Sequence, residues 1–118
     1  MDIPFADALD KLKKALAERG FRIFAIIDHR EAARSVGMEM NPASVILFGN
    51  PEKGTVIMRE TPAVAIDLPS KILVSGNGKT TIYFSRMGYL KERHSLKGVD
   101  EIARNFDDKV IKILREIS

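Results

Sequence analysis

The chain has 118 residues, of which 45% are hydrophobic and 30% charged, with a formal net charge of +3 and no cysteine. A chain of that size makes one domain with a core of its own, and its composition argues against disorder. The missing thiols exclude a disulfide framework, a thiolate nucleophile and a cysteine-based metal site.

No apolar run approaches the ~20 residues a membrane helix needs, and Met1-Asp2-Ile3-Pro4-Phe5 lacks the basic start of a signal peptide. The expected setting is the cytoplasm, with no membrane partner. Gln and Trp are absent while Lys, Arg and Glu are plentiful, a thermophile-like balance. A sequence pI of about 9.3 would suit a polyanion. The basic residues are interleaved with acids, however, as in Lys91-Glu92-Arg93. The densest cluster, Lys11, Lys13 and Lys14, shares its helix with Asp10 and Glu18. A solvated charged face is the simpler reading, and nucleic acid is disfavoured as a partner.

The first element is an amphipathic helix over about residues 4–19, with Phe5, Leu9, Leu12 and Leu16 on one face. Pro4 suits its first turn and Gly20 its end. Phe21 to Ile27 reads as a buried strand. Asp28 with Glu31 has capping-box-like spacing, which starts a short helix over Arg30 to Val36, stopped by Gly37. Ser44 to Phe48 is a second apolar strand. Asn50-Pro51 then opens a helix to Arg59, with Asn as the cap and Pro at the first helical position. Thr61-Pro62 starts a shorter turn through Ile66. Leu68, preceding Pro69, is pushed out of the helical region and ends it.

Ile72 to Ser75 and Thr80 to Phe84 flank Gly76-Asn77-Gly78-Lys79. A two-residue Asn-Gly turn predicts a hairpin that sets Leu73 opposite Ile82 and Ile72 opposite Tyr83. Met87 to His94 reads as a short helix. Val99 to Ile117 is a long one, with Val99, Ile102, Ala103, Phe106, Val110, Ile113, Leu114 and Ile117 in one stripe. The order predicts a single α+β domain over residues 1–118. An antiparallel sheet of about four strands packs against two longer helices, joined by short connecting helices.

Phe48-Gly49-Asn50-Pro51, Gly54-Thr55, Ile57-Met58, Asp67-Leu68-Pro69, and Leu90 with Arg93-His94 carry a match. Through them the sequence resembles the family catalogued as domain of unknown function 302, over nearly its whole length. Two positions depart from that pattern: Arg86-Met87 stands where an Asp-Pro-like turn is expected, and Ser95 stands where Gly often follows the His. The resemblance implies an antiparallel sheet against helices, loosely like TATA-box-binding-protein folds in topology, and a homodimer. It implies no known activity, and such a fold does not itself imply DNA binding.

His29 and His94 are the only histidines, so metal or acid–base chemistry would lean on them. With Asp28 they could hold a divalent ion if their junctions converge; the plainer reading makes Asp28 a cap and the histidines junction residues. Asp67 is expected to bind backbone amides in the turn before the hairpin. The capped helix start around Lys53 could receive an anion, with Thr55 assisting. No nucleotide-loop pattern accompanies it. Arg93, His94 and Lys97, with Tyr83 and Tyr89, could line an anion cleft or lie in a solvated loop. Met38, Met40, Met58 and Met87 suit core gaps or an interface.

Three classes stay open. The first is a homodimeric binding or interaction module for a small-molecule or anionic ligand, with a groove near Asn50, Lys53, Thr55, Asp67, Arg93 and His94. The second is a small metal-dependent protein or enzyme built on His29 and His94. The third is a weak anion or nucleic-acid binder. The first is favoured because no nucleophile–base pair, nucleotide loop or metal motif can be read. Neither a cofactor nor a reaction is indicated.

Overall fold

The computed structural model describes residues 2–118. Its elements run α1 Phe5–Glu18, β1 Arg22–Asp28, α2 His29–Ser35, β2 Ala43–Gly49 and α3 Pro51–Glu60, then a 3-10 turn Pro62–Ile66. After it come β3 Ser70–Asn77, β4 Lys79–Phe84, α4 Met87–Arg93 and α5 Asp100–Ile117. The four strands form one sheet in the order β1-β2-β3-β4, every neighbour antiparallel. The α+β architecture with a four-stranded antiparallel sheet follows the sequence pattern closely.

Cross-strand partners share a face of a sheet, so the register sorts the side chains. Ile46, Ile72 and Phe84 form one inner row, and Ser44, Val74 and Ile82 form the next. Helix α1 lays Ala8, Leu12 and Leu16 against this face, and α5 lays Ala103, Phe106, Val110 and Ile113; all seven are buried. At one end of the core Phe21, Phe48 and Phe106 meet. Phe21 stands edge-on to both others at 5.4 Å, and Phe48 stacks on Phe106 at 5.8 Å, the offset and edge geometries that aromatic pairs prefer.

The opposite face carries a second row, Ile27–Val45–Leu73–Tyr83, across all four strands. Ile27 is 44% exposed and Tyr83 is 56% exposed. This corrects the expectation that β1 is buried. It is an edge strand, and all of its residues except the half-buried Ile23 are exposed. A bulge between Ile23 and Ala25 also takes Phe24 out of the ladder.

The β3–β4 register differs from expectation by one residue. Val74 pairs with Ile82 and Leu73 with Tyr83, and the ladder continues to Asn77 opposite Lys79. Gly78 lies at the tip with φ +74°. The reason is burial. The expected register would set Ile72, which is fully buried, beside Tyr83, which is exposed. A one-residue slip turns every side chain to the other face, so the core fixes the pairing and the turn adapts.

Ser95 has φ +53°, the left-handed region that glycine enters without penalty. It follows α4 in a Schellman arrangement. The Leu96 amide donates to Lys91 O at 2.9 Å and the Ser95 amide to Glu92 O at 3.4 Å. The departure from glycine noted in the sequence therefore falls on the position that requires a positive φ.

Candidate functional site: an apolar cleft beside α3

The start of α3 is built by its own side chains. Asn50 Oδ1 accepts from the Lys53 amide at 3.1 Å. Thr55 Oγ1 donates to Pro51 O at 2.6 Å, and Pro51 occupies the first turn. These contacts fix the N-terminal turn of α3 next to the end of β2. A cleft of about 320 Å³ opens there, between that turn, Phe24 of β1, the Leu68-Pro69 segment, Met87 of α4, and Ile102 and Phe106 of α5. Ile57 and Met58 add to its apolar wall. Asn50, Lys53, Thr55 and Ser70 are the polar side chains along it.

A second constellation lies behind the Leu68-Pro69 wall. Asp67 Oδ1 accepts from Arg93 Nη1 at 2.9 Å, and Asp67 Oδ2 lies 2.5 Å from His94 Nε2. Beside an ionised carboxylate, the Nε2–H is the donor. The His94 side chain is only 12% exposed. This hydrogen bond holds the Asp67 carboxyl below its usual range; partial burial opposes it, and Arg93 and Lys71 reinforce it. Lys71 Nζ also donates to Asp67 O and Pro69 O, each at 3.2 Å. The cluster pins the segment that forms one cleft wall, whose Leu68-Pro69 peptide bond is cis.

The six ligand-binding candidates therefore divide. Asn50, Lys53 and Thr55 line the cleft, whereas Asp67, Arg93 and His94 pair with one another. The expected role of Asp67 is corrected, since its oxygens meet two side chains from the α4 end rather than turn amides. Of Arg93, His94, Lys97, Tyr83 and Tyr89, which could line an anion cleft or lie in a solvated loop, Arg93 and His94 are engaged on Asp67 and Tyr83 belongs to the outer sheet row.

The two histidines are not brought together. Asp28, adjacent to His29, pairs with Ser44, while Ser70, soon after Asp67, pairs with Phe48. Along β2, Ser44 and Phe48 lie about 13 Å apart at roughly 3.3 Å per residue. Asp28 caps α2 by accepting from the Glu31 amide at 3.0 Å. Among the described residues no three His, Cys, Asp or Glu side chains gather to hold a metal ion. The junctions of His29 and His94 do not converge, so the alternative site of His29, His94 and Asp28 does not form, and Asp28 serves as the cap of the plainer reading.

Sequence reasoning missed Asp107. This buried carboxylate accepts from the Met87 amide at 2.6 Å and the Gly88 amide at 3.0 Å, so α5 caps α4. The signal was present: Asp107 sits one helical turn from Ala103 and beside Phe106, an acid in an apolar stripe. Phe24, Leu68, Pro69 and Ser70 were also missed as cleft residues, because only the folded chain brings them to α3.

The region resembles several known proteins. The fluoride-specific ion channel FluC 1 of Brucella suis biovar 1 (strain 1330) is 30% identical over 100 residues, covering 83% of this chain and 39% of the channel. FluC 2 of Brucella melitensis biotype 1 matches at 30% identity over 83% of this chain and 37% of its own length. The chain thus spans less than two fifths of these curated relatives. No helix among the described residues is long and apolar enough to cross a membrane. The crystal structure of an uncharacterized conserved DUF302 protein from Bacillus stearothermophilus superposes with a TM-score of 0.88. It is 20% identical, covering 99% of this chain and 93% of that one, and it shares the fold. The profile described as "Domain of unknown function DUF302" matches residues 1–117, and the chain belongs to that family.

Proposed function

We propose that this domain is a non-enzymatic binding module that holds a small, largely apolar molecule in the cleft beside α3 and works as a homodimer. The cleft carries the first part. At about 320 Å³ it lies at the small end of ligand-pocket volumes, and a mostly apolar wall with few polar groups is the usual composition of such sites. The one histidine–carboxylate pair among the described residues is tied to Arg93 and lies outside the cleft wall, which favours binding over acid–base chemistry. The resemblance to only part of each Brucella channel fits a module carried within larger proteins.

The outer row Ile27–Val45–Leu73–Tyr83 supports the dimer. It is uncharged, spans the sheet and lies opposite the helix-covered face. A second copy supplies a matching surface under two-fold symmetry, and covering such a row is favourable.

Each part has its own test. Gly54 lines the cleft, and a Cβ added there meets only Met58 Cε, at 3.9 Å. Gly54→Leu should fill the space without breaking α3. Titration with 1-anilinonaphthalene-8-sulfonate should give saturable fluorescence in the parent protein and little in Gly54→Leu. Equal signals from both would remove the cleft reading. Sedimentation velocity should show a dimer that Leu73→Lys converts to monomer; a monomeric parent would remove the dimer.

A further inference from the structure

We infer that the cleft selects organic anions, meaning molecules with an apolar body and a single carboxylate-like head. This rests on the cleft-binding reading proposed above. Among the described residues, Lys53 is the single ionisable side chain along the cleft. Among the described residues no acid or carbonyl engages its ammonium group. By contrast, the other polar groups of the same turn are already used. Asn50 Oδ1 holds the Lys53 amide and Thr55 Oγ1 is given to Pro51 O. Lys53 thus stands free at the mouth of an apolar space, where a charge pair is screened less than in open water.

The surrounding charges point the same way. Four carboxylates, Glu52, Asp67, Glu101 and Asp107, are adjacent in the chain to residues of the wall, and none of them lines the cleft itself. Asp67 is engaged by Arg93 and His94, and Asp107 by the Met87 and Gly88 amides. Neither offers a spare acceptor that would draw a cation. A shallower groove adjoins the cleft over Glu52, Lys53, Val56 and Arg59; its two cations outnumber its one acid. The positive end of the α3 dipole lies at the same turn and favours negative charge there.

The experiment compares three probes of one chain length, octanoate, octanol and octylammonium, by calorimetric titration at neutral pH and monomeric concentrations. The parent should bind octanoate about tenfold or more tighter than octanol, and octylammonium most weakly. Lys53→Met keeps the apolar stem of this exposed residue, so octanol binding should persist while the preference for octanoate disappears. Equal binding of octanoate and octanol, or an octanoate preference that survives Lys53→Met, would overturn charge selection and leave the cleft reading standing. Failure of all three probes to bind, with Gly54→Leu indistinguishable from the parent, would overturn the cleft reading itself.

Discussion

His94 Nε2 lies 2.5 Å from Asp67 Oδ2, so the residue that closes α4 holds the residue that precedes the cleft wall. The contact joins two segments far apart in sequence, and it acts through charge. The folded protein favours the ionised Asp67, whose carboxyl sits below its ordinary value of 3.8. Such a group contributes stability that is complete above the unfolded value and fades as pH falls through the lower folded one. The parent should therefore exceed Asp67→Asn in urea midpoint at neutral pH, and the gap should close as the solution becomes strongly acidic. A gap that is constant across that range would show that the cluster acts by shape alone.

Asp107 is the carboxylate on which α4 begins. Asp107→Ala removes the acceptor for two amides, one of them buried, and should cost about 1–3 kcal/mol in chemical denaturation. Asp107→Asn keeps one acceptor oxygen and should cost less. If both variants unfold with the parent, water replaces the carboxylate and α4 does not depend on it.

Phe106 belongs to the core and to the cleft wall at once. Phe106→Ala should lower stability by about 3–5 kcal/mol, measured from urea unfolding, because it empties a site that Phe21 and Phe48 also share. A loss below about 1 kcal/mol would mean that the neighbours collapse into the space.

Ser95 holds φ +53° immediately after α4. Left-handed backbone costs a residue with a Cβ roughly 1–2 kcal/mol relative to the right-handed form. Ser95→Gly should raise the thermal midpoint, the gain reduced by glycine's greater freedom when unfolded. An unchanged or lower midpoint would show that the hydroxyl compensates for the strain.

The sequence was informative wherever a local rule acts on a few neighbouring residues. Asn50-Pro51 announces the start of α3 because cap and proline operate within one turn, and the stripe from Val99 to Ile117 announces α5 because its period is that of a helix. Pairing between segments was harder. Asn77-Gly78 suggests a hairpin but not its register, since the alternation of Ile72, Val74, Ile82 and Phe84 outweighs the turn. Phe24 and Ile27 carry the composition of a buried strand, and nothing local says that one sheet face lacks a covering layer. The candidate site was half legible. Asn50, Lys53 and Thr55 were marked by the helix start they build, but their meeting with Ile102 and Leu68 depends on long-range packing. Asp67, Arg93 and His94 were each marked, yet their mutual pairing was not, because neither spacing nor periodicity links residues 67 and 94.

Helix α5 serves two neighbours within six positions. Ile102 and Phe106 face the cleft, and Asp107 grips the first amides of α4. An occupant of the proposed kind that pressed on the first two would stiffen the backbone that carries the third. Amide protons of Met87 and Gly88 should therefore exchange with solvent deuterium more slowly when the cleft is filled, so that occupancy at α3 is reported from the start of α4.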